Sequence, residues 1–225
     1  SSSNRVYVFW YVVFCFYKQI IKMKIVGICT PNSSPGYHRI LWPLVELPYD
    51  VYVTNHVQES DIANADILIF NRHPAHNTVL QIKEWRKKYG FKIIVDMDDF
   101  WILGEDHILY KYWQQFRTTD TIIECMQIAD YVICSTDHLC SLVKYVNKDC
   151  DVVMNAINYG NGQFLRNKSK SEYVKLFWAG GITHDRDMEL LRNPIKKIAS
   201  ECKNICMVMA GYQENQAAWL RMVSA

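Results

Sequence analysis

The densest chemistry in the chain lies in Lys92-Ile93-Ile94-Val95-Asp96-Met97-Asp98-Asp99-Phe100-Trp101, an apolar run that ends in three carboxylates and two aromatics. Acids this close repel one another, so at least one should hold its proton above the ordinary range unless a cation or a ligand's hydroxyls compensate. Such a group can hold a divalent cation, attack phosphorus, or accept hydrogen bonds from sugar hydroxyls. The plain alternative is one helix-capping aspartate with two solvated neighbours.

Two further stretches put ionisable groups after short apolar runs. Gly36-Tyr37-His38-Arg39 follows Lys24 to Cys29 and a loop of turn formers, Thr30 to Pro35. A strand, glycine loop and helix start can offer backbone N–H groups and a positive helix end to an anion, with His38 and Arg39 assisting. The pattern is neither G-x-G-x-x-G nor a P-loop, so alone it is unspecific. Arg72 and His73 follow the run Ala65 to Phe70 and become candidates to meet a phosphate or hydroxyl. Against these stand plainer roles: Gly36 permitting a turn, Arg39 a solvated helix residue, His73 an ordinary loop residue before Pro74.

The elements that must position these groups follow from periodicity. Lys24 to Cys29, Val51 to Thr54, Ala65 to Phe70, the run from Lys92, Asp130 to Cys134, and Asp151 to Met154 read as strands. Helices are expected from Tyr37 to Leu47, around Glu59 to Asn64, over Thr78 to Tyr89 with a basic solvated face, over Thr119 to Ala129, and from a Ser135-Thr136-Asp137 cap to Tyr145. The stretch from Trp101 through Phe116 reads as irregular. Six strands with intervening helices in about 130 residues is the rhythm of a Rossmann-like, doubly wound α/β domain with a parallel sheet, whose ligands bind beyond the carboxyl ends of the strands. After a polar stretch, 158–172, taken as a linker, the unit restarts: a strand at Val174 to Trp178, the loop Ala179-Gly180-Gly181-Ile182-Thr183-His184-Asp185, a helix through Ile195, and a strand at Ile205 to Ala210. The expected domains are therefore 23–157 and a partial second one at 173–225.

Composition narrows the function. The 225 residues are 50% hydrophobic and 21% charged, so a core can form, and a formal net charge of +2 argues for neither nucleic acid nor an anionic membrane as partner. Eight cysteines without a C-x-x-C pair read as buried thiols in a reducing, cytoplasmic compartment. Val6 to Tyr17 is apolar but shorter than the roughly 20 residues of a spanning helix, and residues 1–22 are expected to be an extension outside a fold that starts at Met23. No transmembrane helix is indicated, although membrane association stays open.

Taken together, Gly36-Tyr37-His38-Arg39, Val95-Asp96-Met97-Asp98-Asp99, Ala129-Asp130-Tyr131-Val132-Ile133-Cys134-Ser135-Thr136 and Phe177-Trp178-Ala179-Gly180-Gly181 with His184-Asp185-Arg186-Asp187 resemble the group 1 (family 4) glycosyltransferases of the GT-B fold, in a bacterial and phage-type subgroup. The resemblance spans residues 23 to roughly 212 in order and spacing. It implies two Rossmann-like domains facing across a cleft, a glycan, lipid-linked or other hydroxyl acceptor held by the first and a nucleotide-sugar by the second. It further implies retention of anomeric configuration without an obligatory metal, and no cofactor, the nucleotide-sugar being a substrate. The family's diphosphate-binding Arg and Lys are not plainly matched; Arg186 is a possible substitute. Its paired glutamates would fall beyond Ala225, so the chain is expected to be a fragment that is inactive alone.

On this reading Asp98, with Asp96 or His73, hydrogen-bonds sugar or acceptor hydroxyls. Gly36, Tyr37, His38, Arg39, Arg72, Gly180, Gly181, His184 and Arg186 are the candidate substrate-binding residues. Three rivals remain. A metal-dependent GT-A transferase would hold a cation on Asp96-Met97-Asp98. A haloacid-dehalogenase-type phosphatase would use Asp96 as nucleophile and Asp98 as acid/base. A non-catalytic remnant would bind a nucleotide-sugar without transfer.

Overall fold

The structure is a computed structural model that describes residues 23–30, 33–157, 170–180 and 184–211. The extension 1–22, most of the linker 158–172 and Gly181 lie outside the described residues. The chain divides into two compact units. The first takes the described residues up to Gly104 and from Leu109 to 157; the second takes Glu105–Ile108 and the described residues from 170 onward.

The first unit is a six-stranded parallel sheet with helices on both faces, a Rossmann-like α/β fold. Its strands are β1 (Lys24–Ile28), β2 (Asp50–Thr54), β3 (Ile67–Asn71), β4 (Lys92–Met97), β5 (Tyr131–Cys134) and β6 (Cys150–Val152), in the order β2-β1-β3-β4-β5-β6. β1, β3 and β4 are runs of Ile, Val, Leu and Phe because both faces are covered. On one face Val26, Leu68, Phe70, Ile93, Val95 and Val132 pack under α2 (Glu59–Ile62), α3 (His76–Tyr89), α5 (Thr118–Ile128) and α6 (Asp137–Val143). On the other, Ile25 and Ile69 pack under Ile40 and Leu44, which belong to a π-helical stretch, Gly36–Leu41, and the α-turn that continues it, α1 (Trp42–Val45). The change of face coincides with the reversal of strand order between β1 and β3, where open α/β sheets form their crevice.

Helix ends follow the chain's punctuation. Thr136 caps α6, its hydroxyl accepting from the Leu139 N–H at 3.2 Å. Gly90 ends α3 in the left-handed conformation, φ 75°. Two expectations change. The stretch expected to be irregular contains α4 (Tyr110–Gln115), a helix with no buried residue and so no core-facing periodicity to betray it. The basic face of α3 is not simply solvated: Lys83 bonds Glu124 at 2.8 Å, and Arg86 donates to the Ile128 carbonyl and to Asp130, tying α3 to α5 and the start of β5.

The thiols also divide. Cys125, Cys134, Cys140 and Cys150 are buried and pack as small hydrophobes, burial pushing the Cys125 thiol up to about 12 and that of Cys134 up to about 11. Cys202 and Cys206 are exposed, contrary to the reading of all eight as core. They belong to the second unit, whose described part is a single βαβ: β7 (Val174–Ala179) parallel to β8 (Ile205–Ala210), joined through α7 (Asp185–Glu201). One helix cannot cover both faces of two strands. Among the described residues no helix is long and apolar enough to cross a membrane.

Gly36 is where the first loop presses hardest on its neighbours. A Cβ there would sit 2.8 Å from the Thr30 carbonyl oxygen and 3.1 Å from Cys29 Sγ, and the backbone contact cannot rotate away. Gly36→Ala should therefore destabilise the unit by about 1–3 kcal/mol, read from the urea midpoint at unchanged slope.

Candidate functional site

The carboxyl ends of β3 and β4 meet beside the reversal of strand order, and the parallel register sets Asn71 opposite Asp96. The three carboxylates of the Asp96-Met97-Asp98-Asp99 run separate into three environments. Asp96 is the last but one residue of β4 and its side chain is 0% exposed. Asp98, just past the strand, is 16% exposed. Asp99 is exposed and accepts from the Phe100 N–H at 2.8 Å, a local turn bond.

Asp96 is enclosed by donors. Arg39 reaches it from the π-helical stretch, Nη2 lying 2.5 Å from Oδ1 and Nε 3.1 and 3.3 Å from the two oxygens. The remaining nitrogen of Arg39, Nη1, donates to the Val153 carbonyl at 2.5 Å and to Asn155 Oδ1 at 3.2 Å, so the whole guanidinium is engaged inside the unit. Burial pushes the Asp96 carboxyl above its ordinary range, against the pull of Arg39 and Asn71 and with a small push from Asp98. The acid cluster thus does hold one raised carboxyl, though burial rather than mutual repulsion is its main cause.

Asn71 distributes the cluster. Its Nδ2 donates to Asp96 Oδ2 at 2.8 Å and Asp98 Oδ1 at 2.9 Å, while its Oδ1 accepts from Arg72 Nε at 3.3 Å. Arg72 Nε also lies 3.2 Å from Asp98 Oδ1. The Arg72 N–H continues the ladder to the Asp96 carbonyl at 2.8 Å, and its left-handed backbone, φ 52°, turns the chain off the strand just beyond. The backbone of Asp98 is held in turn: its carbonyl accepts from Ser135 Oγ at 3.0 Å. Next to Arg72, His73 Nδ1 lies 2.7 Å from the Pro74 carbonyl. A carbonyl only accepts, so Nδ1 carries the hydrogen and Nε2 is the basic nitrogen. Burial pulls the His73 pKa below its ordinary value, aided by the Arg72 charge and opposed by the Pro74 bond, which keeps the ring neutral at pH 7.

The structure thus gathers Arg39, Asp96, Arg72, His73 and Asp98 into one region, and gives some of them posts other than those expected. Asp96, a candidate to touch substrate or to attack phosphorus, has no exposed oxygen and serves as the buried counter-ion of Arg39. Arg39, a candidate anion binder, has its donors committed. Gly36 was expected to present a free N–H, but it donates to Ser33 Oγ at 3.3 Å, and the Tyr37 N–H goes to the Ser33 carbonyl at 3.0 Å. Tyr37 is exposed and meets the His38 and Trp42 rings edge-on at 5.0 and 5.9 Å.

In the second unit the Gly180 N–H is spent on the Ala210 carbonyl at 3.0 Å, which closes the sheet rather than facing an anion. A Cβ at Gly180 would stand 2.7 Å from the far edge of the Trp178 ring, so a larger residue there would displace the indole. His184 precedes α7 and meets the Trp178 ring edge-on at 6.5 Å, and Arg186 lies in the first turn of that helix.

Sequence reasoning gave no site role to Asn71 or Asn155, and read Ser135 only as part of a helix cap and, in the phosphatase alternative, as a phosphate binder, not as a support for Asp98. The position of Asn71 directly before Arg72-His73, at the end of an apolar run, was its available signal; Ser135 and Asn155 join only through the strand order. No family model matches the chain, and no curated protein matches it either.

Two measurements check this electrostatic arrangement. Arg39→Met leaves a buried carboxyl without its cation and should cost about 3–5 kcal/mol in urea unfolding, whereas Arg39→Met combined with Asp96→Leu should cost much less. For His73, a folded pKa below the unfolded 6.5 means the unfolded chain binds the extra proton first. Stability is therefore fully present above pH 6.5 and falls as pH drops through the folded value; in His73→Gln this segment of the stability profile should flatten, and the His73 NMR titration midpoint should lie below 6.5.

Proposed function

We propose that this protein is a glycosyltransferase of the GT-B type, retaining and metal-independent, that moves a sugar from a nucleotide-sugar to a hydroxyl acceptor. The observation that carries the proposal is a partly exposed Asp98 carboxylate held by Asn71 and Arg72 just past β4, with His73 following β3, both at the carboxyl edge of the sheet. Both lie beyond the carboxyl ends of their strands, where an open α/β sheet takes its ligand, and neutral polyols are recognised by acceptors of this kind. Phe100, two residues on and 42% exposed, offers an apolar ring against which a sugar face can lie.

In this reading Asp98 orients the acceptor hydroxyl, its carboxylate held by Arg72 and Asn71 and its backbone by Ser135, and His73 accepts a second hydroxyl at Nε2. The bond from the anomeric carbon to the donor phosphate breaks, the bond to the acceptor oxygen forms on the same face, and the hydroxyl proton leaves with the diphosphate. The glycine-loop unit at Gly180 to Arg186 is assigned the donor by the family resemblance. The phosphatase alternative is weaker, since an enclosed Asp96 paired to Arg39 lacks a free oxygen for attack.

The test is turnover by the intact protein on a panel of nucleotide-sugars with hydroxyl acceptors, followed by release of nucleoside diphosphate in the presence of a chelator. Asp98→Asn should lower turnover at least about tenfold with the fold intact. Unchanged turnover would remove Asp98 from the site, and binding of a nucleotide-sugar without transfer would favour a non-catalytic role.

A further inference from the structure

Cys134, Cys140 and Cys150 come from three elements and meet at one point in the first unit. Cys134 ends β5 and Cys150 opens β6; the register pairs Cys134 with Val152 and Cys150 with Val132, so the two cysteines are diagonal neighbours on one face of the sheet. Cys140 comes from α6, which covers that face. The Cys150 sulfur lies 3.4 Å from that of Cys134 and 2.9 Å from that of Cys140, and all three sulfurs fall within 4.8 Å of one another. All three residues are buried.

We propose that these three thiols form a binding site for a thiophilic d10 metal ion, with Zn2+ as the representative. Thiolates at about 2.3 Å from zinc stand roughly 3.8 Å apart at the corners of a tetrahedron. The observed separations lie within about 1 Å of that spacing. The ligands sit on two strands and a helix rather than on loops, which fixes their directions before any ion arrives. An open pocket of about 490 Å³ lined by Asp137, Cys140, Ser141, Lys144, Asp151 and Val152 borders the cluster at Cys140. On this proposal the ion enters from that pocket by way of Cys140. The pocket's two carboxylates, Asp137 and Asp151, outnumber its one cation, Lys144, a balance that draws a metal cation in rather than offsetting the negative charge of three thiolates. Binding exchanges thiol protons for the ion and joins the edge strand β6 and helix α6 to β5. The expected role is structural, a staple on the end of the sheet that also carries Ser135.

The test uses the whole chain, reduced, stripped with chelator, and given Zn2+ alone. A background variant, Cys202→Ser with Cys206→Ser, removes the exposed thiols of the second unit. One equivalent of zinc should remain bound after desalting, raise the melting temperature, and show three sulfur neighbours at about 2.3 Å by X-ray absorption. Co2+ in its place should give a sulfur-to-cobalt charge-transfer band. Cys134→Ala, Cys140→Ala and Cys150→Ala should each weaken zinc binding by at least the roughly tenfold that loss of even an outer partner costs. The absorption and cobalt readings need no cluster variant, so they decide the matter even if a variant fails to fold. Zinc with only nitrogen and oxygen neighbours, absence of the cobalt band, or recovery of a Cys140–Cys150 disulfide in place of metal would overturn the proposal.

Discussion

The buried ion pair between Arg39 and Asp96 is the constraint on which the carboxyl edge of the sheet depends. A carboxylate at the end of a central strand, with no exposed surface, needs a cation delivered to it. That cation comes from the helical stretch on the opposite face of the sheet from α3 and α5, and the same guanidinium takes the Val153 carbonyl and Asn155. One side chain therefore ties the first glycine loop, the central strand and the exit of the last strand. Such pairs add little net stability compared with an apolar replacement, but breaking one alone is costly, which makes the arrangement specific rather than merely strong.

With Asp96 enclosed, its neighbours are left to meet solvent. Asn71 faces both acids, so the position of Asp98 is set by a residue that the ion pair already holds. The gradation from a buried to a half-buried to an exposed carboxylate over four residues follows from the strand ending at Met97: inside the strand the carboxylate is trapped, and each step beyond it gains water.

The strands were legible because β1, β3 and β4 are continuous apolar runs bounded by turn formers, and because Gly90 marks the end of α3. What the residues could not reveal was which strands are neighbours. Arg39 and Asp96 are 57 positions apart, and nothing local pairs them. The same holds for the thiols: read along the chain they lack a motif, since the three that meet belong to two strands and the helix above them. Helix α4 escaped because periodicity registers burial, and none of its residues is buried. Arg72 and His73 were legible as ionisable groups at a strand end, whereas the commitment of the Gly36 and Gly180 N–H groups to internal carbonyl or hydroxyl oxygens depends on loop conformations that composition does not specify.

Arg72 carries a last consequence. Its left-handed backbone holds on the order of 1–3 kcal/mol of strain that a glycine would not feel. A glycine there, however, would surrender the guanidinium beside Asp98 and leave that carboxylate with the Asn71 amide as a donor. Position 72 therefore exchanges one cost for another: the strain of a left-handed arginine is set against the ion pair it delivers and against the backbone entropy that a glycine would lose on folding.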